Sequence, residues 1–377
     1  MKSVLFFIEC LDLGGAEGIL NNVAANLNKE KFNITVVSEK DEEFHTDEIR
    51  KNCFHKCFIK QKRNNSRIGR LLNSAVIKYS LIAPAKLVKK TLIGGKYDIE
   101  AAFCEGYATK IIGSSKRKNT KKIAWVHTDL INYPWSESVF GSKENEKECY
   151  ENFDKIICVS ETIKESFIKK YGMEDKVSVV YNIIDFNSII KKSKEKFAFP
   201  ENGRINFVLV GSFKKVKGYD RFVKICASLK EQGYTFNALI MGSGSEYNTI
   251  KCMIDDYGLN DMISMLEYQD NPYKYMKNAD ALICSSYAEG YSTTVTEAIV
   301  LGKPVITTEC SGMKEIFGDS ECGIICENSE DGLYNAIKSV LDNPQKLESY
   351  SRNALERAKD FSTEKRIAEL EDFLDSI

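Results

Sequence analysis

Residues 279–306 of the 377-residue chain read ADALICSSYAEGYSTTVTEAIVLGKPVI, and this stretch decides the fold. A short apolar run leads through a glycine-containing turn into a segment whose apolar residues have helical spacing. A second apolar run, KPVITTE, follows at residues 303–309. A strand, a helix and a strand in this order predict a parallel βαβ unit.

Similar apolar runs recur along the whole chain, separated by amphipathic helical segments such as YDRFVKICASLKEQ. The other predicted strands are SVLFFIE, NITVVSE, IEAAFCE, KIAWVH, KIICVS, VSVVYNIID, RINFVLVGS, FNALIMGSG, ISMLEYQ and GIICE. This alternation predicts an α/β protein with parallel, doubly wound, Rossmann-like sheets. At about 150 residues per domain, the length suits two such domains.

The boundary between the two domains is expected in residues 182–203, NIIDFNSIIKKSKEKFAFPENG, where charged residues and turn formers concentrate. We therefore predict an N-terminal domain over residues 1–185 and a C-terminal domain over residues 186–360. A helix over about residues 361–377 is expected to pack back on the first domain. Two tandem domains of this kind predict a ligand cleft between them.

Composition excludes several classes of protein. With 43% hydrophobic and 11% aromatic residues, the chain can bury a large core and is not disordered. No apolar run approaches the roughly 20 residues that cross a bilayer, and Glu9 and Asp12 interrupt the only stretch that resembles an export signal. The twelve cysteines are therefore expected to be reduced thiols of a cytoplasmic protein. Only His55 lies near a C-x3-C pair, so we expect no metal site.

The net charge of −1 hides an uneven distribution. Residues 51–122 contain 18 Lys and Arg against three acidic residues, a net charge of +15. Within them, residues 70–93 interleave aliphatic residues with lysines at helical spacing, interrupted by Pro84. This pattern predicts either a surface for anionic lipid head groups, with the protein peripheral on the inner face of the cell membrane, or a solvated helix face. Nucleic acid is not expected as a partner, because stacking aromatic residues are missing from the pattern.

The turn and helix start in residues 289–297, EGYSTTVTE, carry the most informative chemistry. Free backbone N–H groups and the helix dipole at Ser292–Thr294 suit a diphosphate. Glu297, one turn further on, suits the adjacent hydroxyls of a ribose, and Glu289 lies nearer the reacting end of such a ligand. Taken alone, both glutamates also fit a solvated helix face.

Three further signals follow other predicted strands. In GSFKKVKGYDRF, Lys214, Lys215 and Lys217 precede a helix, where a cation can neutralise a leaving diphosphate, although a plain basic loop is the alternative. In LGGAE, the glycines of residues 14–15 permit close approach of a ligand, but the dinucleotide fingerprint G-x-G-x-x-G is missing. His127 in KIAWVHTD ends a strand, where α/β domains place ligand contacts; a lone histidine is also often structural.

The order of these motifs resembles glycosyltransferase family 4. The similarity runs through LGGAE, WVHTD, VSE, YNIID, GSFKKVKG, MGSG, NPYKYMKNAD and EGYSTTVTEAIVLGKPVI and spans roughly residues 1 to 370. The resemblance implies a retaining enzyme with the GT-B fold that transfers a hexose or related sugar from a nucleotide diphosphate, with UDP expected. The stretch YQDNPYKYM further resembles members that build capsule, lipopolysaccharide or other surface polysaccharides.

The resemblance also implies roles for particular residues. Glu289 would bind the donor sugar, Glu297 the ribose, and His127 would lie near the donor sugar and the reacting face. The remaining donor-site residues implied are Gly14, Gly15, Ser212, Lys214, Lys217, Gly242, Tyr291, Ser292, Thr293 and Thr294.

Three further expectations concern the diphosphate contact, the metal and the acceptor. Relatives usually carry arginine at the position of Ser212, so a diphosphate contact is missing here or is supplied by Lys214 or Lys215. No Asp-x-Asp pair lies in a suitable loop, so cationic side chains are expected to replace a divalent metal, and no cofactor is expected. Glu105 and Asp129, at strand ends of the first domain, are predicted contacts of a glycan or lipid-linked acceptor.

Two alternatives remain open at this stage. A GT-B epimerase would change a sugar nucleotide without an acceptor. A non-catalytic member would bind nucleotide only; Ser212 favours it, and Glu289, Glu297 and Lys217 disfavour it.

Overall fold

The computed structural model describes residues 1–41 and 43–377, and the chain divides into two compact units. The first unit comprises Met1–Ile183 together with Arg366–Ile377, and the second comprises Ile184–Lys365. The boundary between the two units, after Ile183, lies two residues before the boundary expected from the sequence. The last twelve residues belong to the first unit, where the Glu371 carboxylate accepts a hydrogen bond from the Asn28 N–H at 2.8 Å.

The first unit is built on a seven-stranded parallel sheet with the strand order β3-β2-β1-β4-β5-β6-β7. Its strands are β1 Lys2–Phe7, β2 Phe32–Lys40, β3 Phe54–Ile59, β4 Ile99–Ala102, β5 Lys121–Val126, β6 Lys155–Cys158 and β7 Val177–Val179. Its helices are α1 Gly15–Asn26, α2 Thr46–Asn52, α3 Arg67–Ile82, α4 Ala85–Val88, α5 Tyr107–Gly113, α6 Glu137–Phe140, α7 Lys143–Glu151 and α8 Glu161–Tyr171. Two 3₁₀ turns, Gln61–Asn65 and Glu174–Lys176, and a π-helical turn, Lys89–Ile93, complete it.

The second unit repeats this topology on a six-stranded parallel sheet with the order β10-β9-β8-β11-β12-β13. Its strands are β8 Asn206–Val210, β9 Asn237–Met241, β10 Ile263–Leu266, β11 Ala281–Cys284, β12 Val305–Thr308 and β13 Gly323–Cys326. Its helices are α9 Phe186–Lys192, α10 Tyr219–Glu231, α11 Tyr247–Asp256, α12 Tyr273–Asn278, α13 Thr293–Val300, α14 Met313–Phe317, α15 Glu330–Asp342 and α16 Lys346–Arg357. The 3₁₀ turns are Lys215–Lys217 and Ala358–Phe361, and α17 Thr363–Ser376 runs from this unit into the first.

The predicted α/β architecture of two Rossmann-like domains is confirmed, and the twelve predicted strands all form. The central strands are apolar and largely buried, as strands covered on both faces must be: Val4 to Phe7 of β1 and Phe207 to Leu209 of β8 have no exposed surface. The sequence analysis missed β3. Residues His55 and Lys56 interrupt its apolar pattern, because β3 is an edge strand that pairs only with β2.

The basic segment around residues 70–93 forms most of α3, the short helix α4 and the π-helical turn. Ser66 caps α3 by accepting a hydrogen bond from the Gly69 N–H at 2.9 Å, and α3 ends at Ile82 because Pro84 disfavours helical geometry at the residue before it. Asn73 and Ser80 are buried on the inner side of α3. Aliphatic residues of the same helix are exposed, namely Ile68, Leu71, Leu72, Ile77, Leu81 and Ile82, with Ile68 at 73%. In the described part of the chain, no helix combines the length and the apolar composition needed to cross a bilayer.

Each sheet has one topological switch point, where the chain reverses its direction of winding. In the first unit it lies between β1 and β4, and in the second between β8 and β11. Ligands of open α/β sheets bind outside the carboxyl ends of the strands at this point, because the loops diverge there and leave a crevice. The fold therefore directs attention to the residues that follow these four strands.

Candidate active site

The switch point of the second unit brings together two motifs that are about 75 residues apart in sequence. Residues 211–218 follow β8, and residues 285–292 follow its neighbour β11. A shallow pocket forms between them, lined among others by Lys217, Cys284, Glu289, Ser292 and Thr294. Four residues predicted for donor binding from separate motifs thus share one pocket.

Lys217 and Glu289, which both line this pocket, form an ion pair. The Lys217 Nζ lies 2.7 Å from the Glu289 Oε1, and Ser286 Oγ donates a hydrogen bond to the same oxygen at 2.6 Å. The side chains are 28% and 10% exposed, so both charges remain reachable from solvent. Burial alone would lower the pKa of Lys217, but the adjacent Glu289 carboxylate keeps this pKa above its ordinary value. Lys217 is therefore a fixed cation at the edge of the sheet.

The start of α13 supplies hydrogen-bond donors beside this cation. Ser292 is the N-cap, and its side chain accepts from the Val295 N–H at 3.4 Å. Thr293 and Thr294 lie in the first turn, where the N–H groups have no carbonyl of the same helix to bind. The partial positive charge of the helix end adds to that of Lys217, so the pocket suits an anion with several oxygens.

Glu297 lies one turn further along α13. Tyr273, at the start of α12, donates a hydrogen bond from its hydroxyl to the Glu297 Oε1 at 3.1 Å. Burial raises the pKa of Glu297 to about 7. A carboxylate with one oxygen held by a phenol can still accept hydrogen bonds from a diol, and its charge state changes near neutral pH.

Arg221 of α10 fixes the loop that carries these groups. Its guanidinium is almost fully buried and donates to the carbonyls of Ser285, at 2.7 Å, and Ser286. It also donates to Asn328 Oδ1 at 2.9 Å and lies 4.1 Å from the centre of the Tyr287 ring. The arginine therefore holds the chain between β11 and Glu289 through several directional contacts.

Gly218 explains how the two loops come so close. Its φ of +65° lies in the left-handed region, and an added Cβ would collide with the Ser285 carbonyl oxygen. Only glycine meets both conditions without strain. The adjacent Ser285 Oγ donates to the Lys217 carbonyl at 2.9 Å, which ties the two loops together.

The other residues predicted for donor binding have more varied positions. Ser212 and Lys214 are in the loop after β8, and Lys214 is exposed. Lys215 is also exposed and pairs with Asp220 at 2.5 Å, so its charge is already matched. Gly242, at the end of β9, is buried, and a Cβ there would collide with the Gly211 carbonyl. Tyr291 is buried in front of α13. Their roles in donor binding remain predictions.

In the first unit, the switch point carries Gly14 and Gly15 at the start of α1. Both are exposed, and a Cβ at Gly15 would meet nothing within 4 Å. The Glu17 carboxylate folds back against Gly14 and lies 3.1 Å from Cys10 Sγ. The space at Gly15 leaves room for a ligand, and the nearest charged group of its own helix is negative.

His127 follows β5, and its backbone is held by Glu105 from the end of β4. The Glu105 Oε1 accepts from the N–H groups of His127, at 2.6 Å, and Thr128, at 2.7 Å. The His127 Nε2 lies 2.9 Å from the Phe103 carbonyl oxygen, which can only accept, so Nε2 carries the hydrogen and Nδ1 is the acceptor of the neutral ring. Burial lowers the pKa of His127 to about 4.

Glu105 and Asp129, predicted as acceptor contacts, are both buried. Glu105 is used by the backbone of residues 127–128, and the Asp129 carboxylate accepts from the backbone N–H groups of Ile131 and Asn132. Both carboxylates thus shape the loop after β5, and their direct contact with an acceptor remains a prediction.

Sequence reasoning missed several residues that the structure places in or beside the second-unit pocket, among them Arg221, Tyr273, Cys284 and Ser286. The serine pair that ends ADALICSS was a usable signal for Ser286. Tyr273 is 24 residues from its partner Glu297, and no spacing rule links them. Within residues 1–41 and 43–377, no three His, Cys, Asp or Glu side chains cluster as around a metal ion. Metal independence remains a prediction.

Comparison with solved structures identifies the fold. The Anabaena HepE protein, solved in complex with UDP and glucose, superposes with a TM-score of 0.77 over 100% of both chains at 19% identity. The sucrose-phosphate synthase of Thermosynechococcus elongatus gives 0.77 over 100% of this chain and 99% of that chain at 16% identity. The two Rossmann-like domains are those of GT-B glycosyltransferases.

Family models identify the chain further. The model "Glycosyltransferase Family 4" matches residues 13–188, and "Glycosyl transferases group 1" matches residues 190–357. The chain therefore belongs to the glycosyltransferases that combine these two domains, and the resemblance seen in its motifs is confirmed.

The curated relatives are glycosyltransferases. An N-acetylgalactosaminyltransferase of Campylobacter jejuni, which acts on a diphospho-undecaprenol-linked sugar, is 28% identical over 216 residues. That match covers 56% of this chain and only 57% of the relative. The N-acetyl-α-D-glucosaminyl L-malate synthase of Bacillus anthracis is 24% identical over 290 residues, covering 73% of this chain and 72% of the relative.

Proposed function

We propose that this glycosyltransferase moves a sugar from a UDP-sugar to a hydroxyl of a lipid-linked glycan, with retention of the anomeric configuration and without a divalent metal. The observation that carries the donor part is the pocket at the β8/β11 switch point. There the Lys217 cation lies 2.7 Å from Glu289 and beside the free N–H groups at the start of α13.

The chemical difficulty of such a transfer is charge. Negative charge accumulates on the diphosphate as it leaves, while the sugar develops positive charge. Lys217 and the start of α13 stabilise the diphosphate, and they are already oriented, so little reorganisation is needed during the reaction. A bound diphosphate competes with Glu289 for Lys217, which frees the Glu289 carboxylate to accept hydrogen bonds from the sugar hydroxyls.

Uridine as the base is supported by the structural neighbours. HepE was solved with UDP and with UDP-glucose, and the Staphylococcus aureus TarM protein was solved with UDP. In this chain, Glu297 with its partner Tyr273 suits the ribose hydroxyls. These observations favour a UDP-linked donor.

A glycan acceptor on a lipid carrier is supported by the names of relatives. The Campylobacter enzyme acts on a diphospho-undecaprenol-linked sugar, and the Escherichia coli relative WclY acts in O-antigen biosynthesis. WclY is 26% identical over 177 residues, which cover 45% of this chain and 47% of that relative. We extend this acceptor class to the present chain and place the reaction in surface polysaccharide biosynthesis.

The exposed aliphatic residues of α3 support a membrane surface as partner. Ile68, Leu71, Leu72 and Ile82 lie on one side of the helix by their spacing, and the polar Asn73 faces inward. Arg67, Arg70 and Lys78 flank them on the same helix. Aliphatic residues bordered by cations match the interface of an anionic bilayer, where each cation contributes about 1 kcal/mol. The enzyme would then meet its lipid-linked substrate at the inner face of the cell membrane.

The donor proposal is tested by incubating the purified chain with a panel of nucleotide sugars. We expect at least one UDP-sugar to raise the melting temperature and to release UDP slowly to water, equally well in EDTA. Loss of UDP release in EDTA, with recovery in magnesium or manganese, would contradict metal independence. If the sugar nucleotide is converted to an epimer without an acceptor, the activity is isomerisation and not transfer. Binding without turnover under any condition would indicate a non-catalytic protein.

The membrane proposal is tested by co-sedimentation with phosphatidylglycerol vesicles. We expect binding that weakens as salt increases and that is lost in the double variant Leu71→Gln, Leu72→Gln. Leu355→Gln is the matched control, because Leu355 is equally exposed but lies in the second unit. Equal binding of all variants at low salt would show that α3 does not contact the membrane.

A further inference from the structure

The loop between β5 and α6, residues 127–136, is unusually well fixed for a surface loop. The Asp129 carboxylate accepts from the Ile131 N–H at 2.9 Å, the Asn132 N–H at 3.2 Å and the Asn132 Nδ2 at 2.8 Å. The Tyr133 N–H donates to the Asp129 carbonyl at 2.8 Å. These bonds form a tight turn that needs no ligand to keep its shape.

A chain of hydrogen bonds joins this loop to the residue predicted at the reacting face. Trp135 Nε1 donates to Thr128 Oγ1 at 3.2 Å, and Thr128 Oγ1 donates to Glu105 Oε1 at 2.9 Å. The same Glu105 oxygen accepts from the backbone N–H of His127. One buried carboxylate therefore sets the position of both the Trp135 indole and His127.

The Trp135 indole packs against Gly106 on one side, and part of the side chain is exposed to solvent. A Cβ added to Gly106 would lie 2.9 Å from Trp135 Cη2, so the ring covers a position that only glycine leaves free. Gly106 has a φ of +77°, which also favours glycine. Nevertheless Trp135 is 36% exposed, and Tyr133 and Ile131, on the same loop, are exposed as well.

We propose that Trp135, together with Tyr133, forms the platform on which a sugar ring of the acceptor stacks. This inference rests on the proposed transferase function. Pyranose rings present C–H groups on one face and hydroxyls around the edge, and a fixed, half-exposed aromatic ring beside polar groups matches that pattern. The platform is held in place before binding, which lowers the entropy cost of association.

The charges around the platform favour a carbohydrate over an anionic lipid surface. Residues 127–142 contain Asp129 and Glu137 but no Lys or Arg. Lys170 reaches the loop from α8, donates to the Leu130 carbonyl and pairs with Glu137 at 2.6 Å, so its charge is matched. This loop thus differs from α3, whose exposed aliphatic residues are bordered by cations.

The test separates acceptor binding from donor binding. With a UDP-sugar that supports UDP release and methyl glycosides of common hexoses and N-acetylhexosamines as acceptor probes, we expect Trp135→Leu to raise the acceptor KM by about tenfold. UDP affinity should stay unchanged. Trp135→Phe should be intermediate because it keeps a ring, and Tyr257→Leu, an exposed aromatic residue of the second unit, is the matched control. Equal loss of donor and acceptor binding, or an unchanged acceptor KM, would overturn the platform.

Fluorescence gives a second readout that needs no donor. The chain has two tryptophans, and Trp125 is only 2% exposed in the core of the first unit. In the Trp125→Phe variant, Trp135 is the sole reporter, and we expect a saturable change in its emission with at least one glycoside. No change with any glycoside, or a Trp135→Leu defect confined to vesicle binding, would refute the platform. Failure of the unmodified chain to bind any sugar nucleotide, with the glycoside signal intact, would refute the proposed function instead.

Discussion

The two switch points of this chain have the same topology but carry different charged groups. Beyond β8 and β11, the second unit presents Lys217, which is paired with Glu289, and the positive end of α13. Beyond β1 and β4, the first unit presents Glu9, Glu17 and Glu105. The fold therefore provides two similar crevices, and the loop residues alone decide which of them suits a diphosphate.

The acidic character of the first switch point is visible in the pKa values of its groups. Burial raises the pKa of Glu9, whose carboxylate accepts from the Ala108 N–H at 3.1 Å. Burial and, to a lesser extent, the nearby Glu9 charge raise the pKa of Glu39 to about 7. Burial and the neighbouring Glu17 raise the pKa of the Cys10 thiol to about 12. A diphosphate there would meet carboxylates, whereas a neutral sugar with many hydroxyls would find acceptors.

The largest loss of activity is expected when the cation of the second switch point, Lys217, is removed. Lys217→Ala should lower turnover by about 10²–10³-fold, because one preorganised contact to the leaving diphosphate is lost. The measurement is UDP release with the preferred donor, and Lys215→Ala is the control, since Lys215 lies on the same turn but is exposed and paired with Asp220. Turnover of Lys217→Ala at the native level, or an equal loss in Lys215→Ala, contradicts the assignment.

Replacing the buried Arg221 should destabilise the loop that carries Glu289 in the same crevice. Arg221→Met leaves the Ser285 and Ser286 carbonyls without their donor, so the free energy of unfolding should fall by about 2–4 kcal/mol. UDP affinity should fall as well, because Glu289 follows these residues in the same loop. Chemical denaturation and UDP titration measure both effects. Arg352→Met, an exposed arginine of the same unit, should change neither.

These expectations show how far sequence alone could go. The twelve predicted strands were recoverable because parallel strands covered by helices are continuous apolar runs. The edge strand β3 was missed because its half-buried polar residues, His55 and Lys56, interrupt the pattern. Motifs such as residues 289–297 indicated a candidate phosphate site because a strand, a turn and a helix start are local. Contacts between distant segments, such as Arg221 with Ser285 or Tyr273 with Glu297, depend on the tertiary fold, and no sequence spacing encodes them.

The ribose end of the second crevice should respond to pH. With the pKa of Glu297 at about 7, UDP affinity should increase as the pH rises through about 7, because only the ionised carboxylate accepts from both ribose hydroxyls. In the free protein the same shift acts against stability: folding takes up a proton between pH 4.5 and about 7, so the free energy of unfolding should fall as the pH rises across this range.

Calorimetric titration at several pH values measures the effect on affinity. Glu297→Gln should remove this part of the pH dependence and leave the titration of the terminal phosphate of UDP, whose second pKa is about 6. Tyr273→Phe should weaken UDP binding by about fivefold through one lost hydrogen bond. Tyr275→Phe, on the same helix, should not. Identical pH profiles for Glu297→Gln and the native chain would count against the ribose role.

The smallest effect is expected at His127. Because burial lowers its pKa to about 4, the ring is neutral throughout the range in which ordinary histidines titrate, near about pH 6.5. The pH profile of turnover in His127→Asn should therefore have the same shape as that of the native chain, at a lower rate. A change of turnover near about pH 6.5 that is present in the native chain and absent from the variant would show that His127 titrates during the reaction.

We propose above that the second unit holds the diphosphate of the donor at the β8/β11 switch point. A crystal structure with UDP tests it most directly. We predict phosphate oxygens within hydrogen-bond distance, about 3 Å, of Lys217 Nζ and of the N–H groups of Thr293 or Thr294. A diphosphate bound instead beyond β1 and β4, among Glu9, Glu17 and Glu105, would contradict the account.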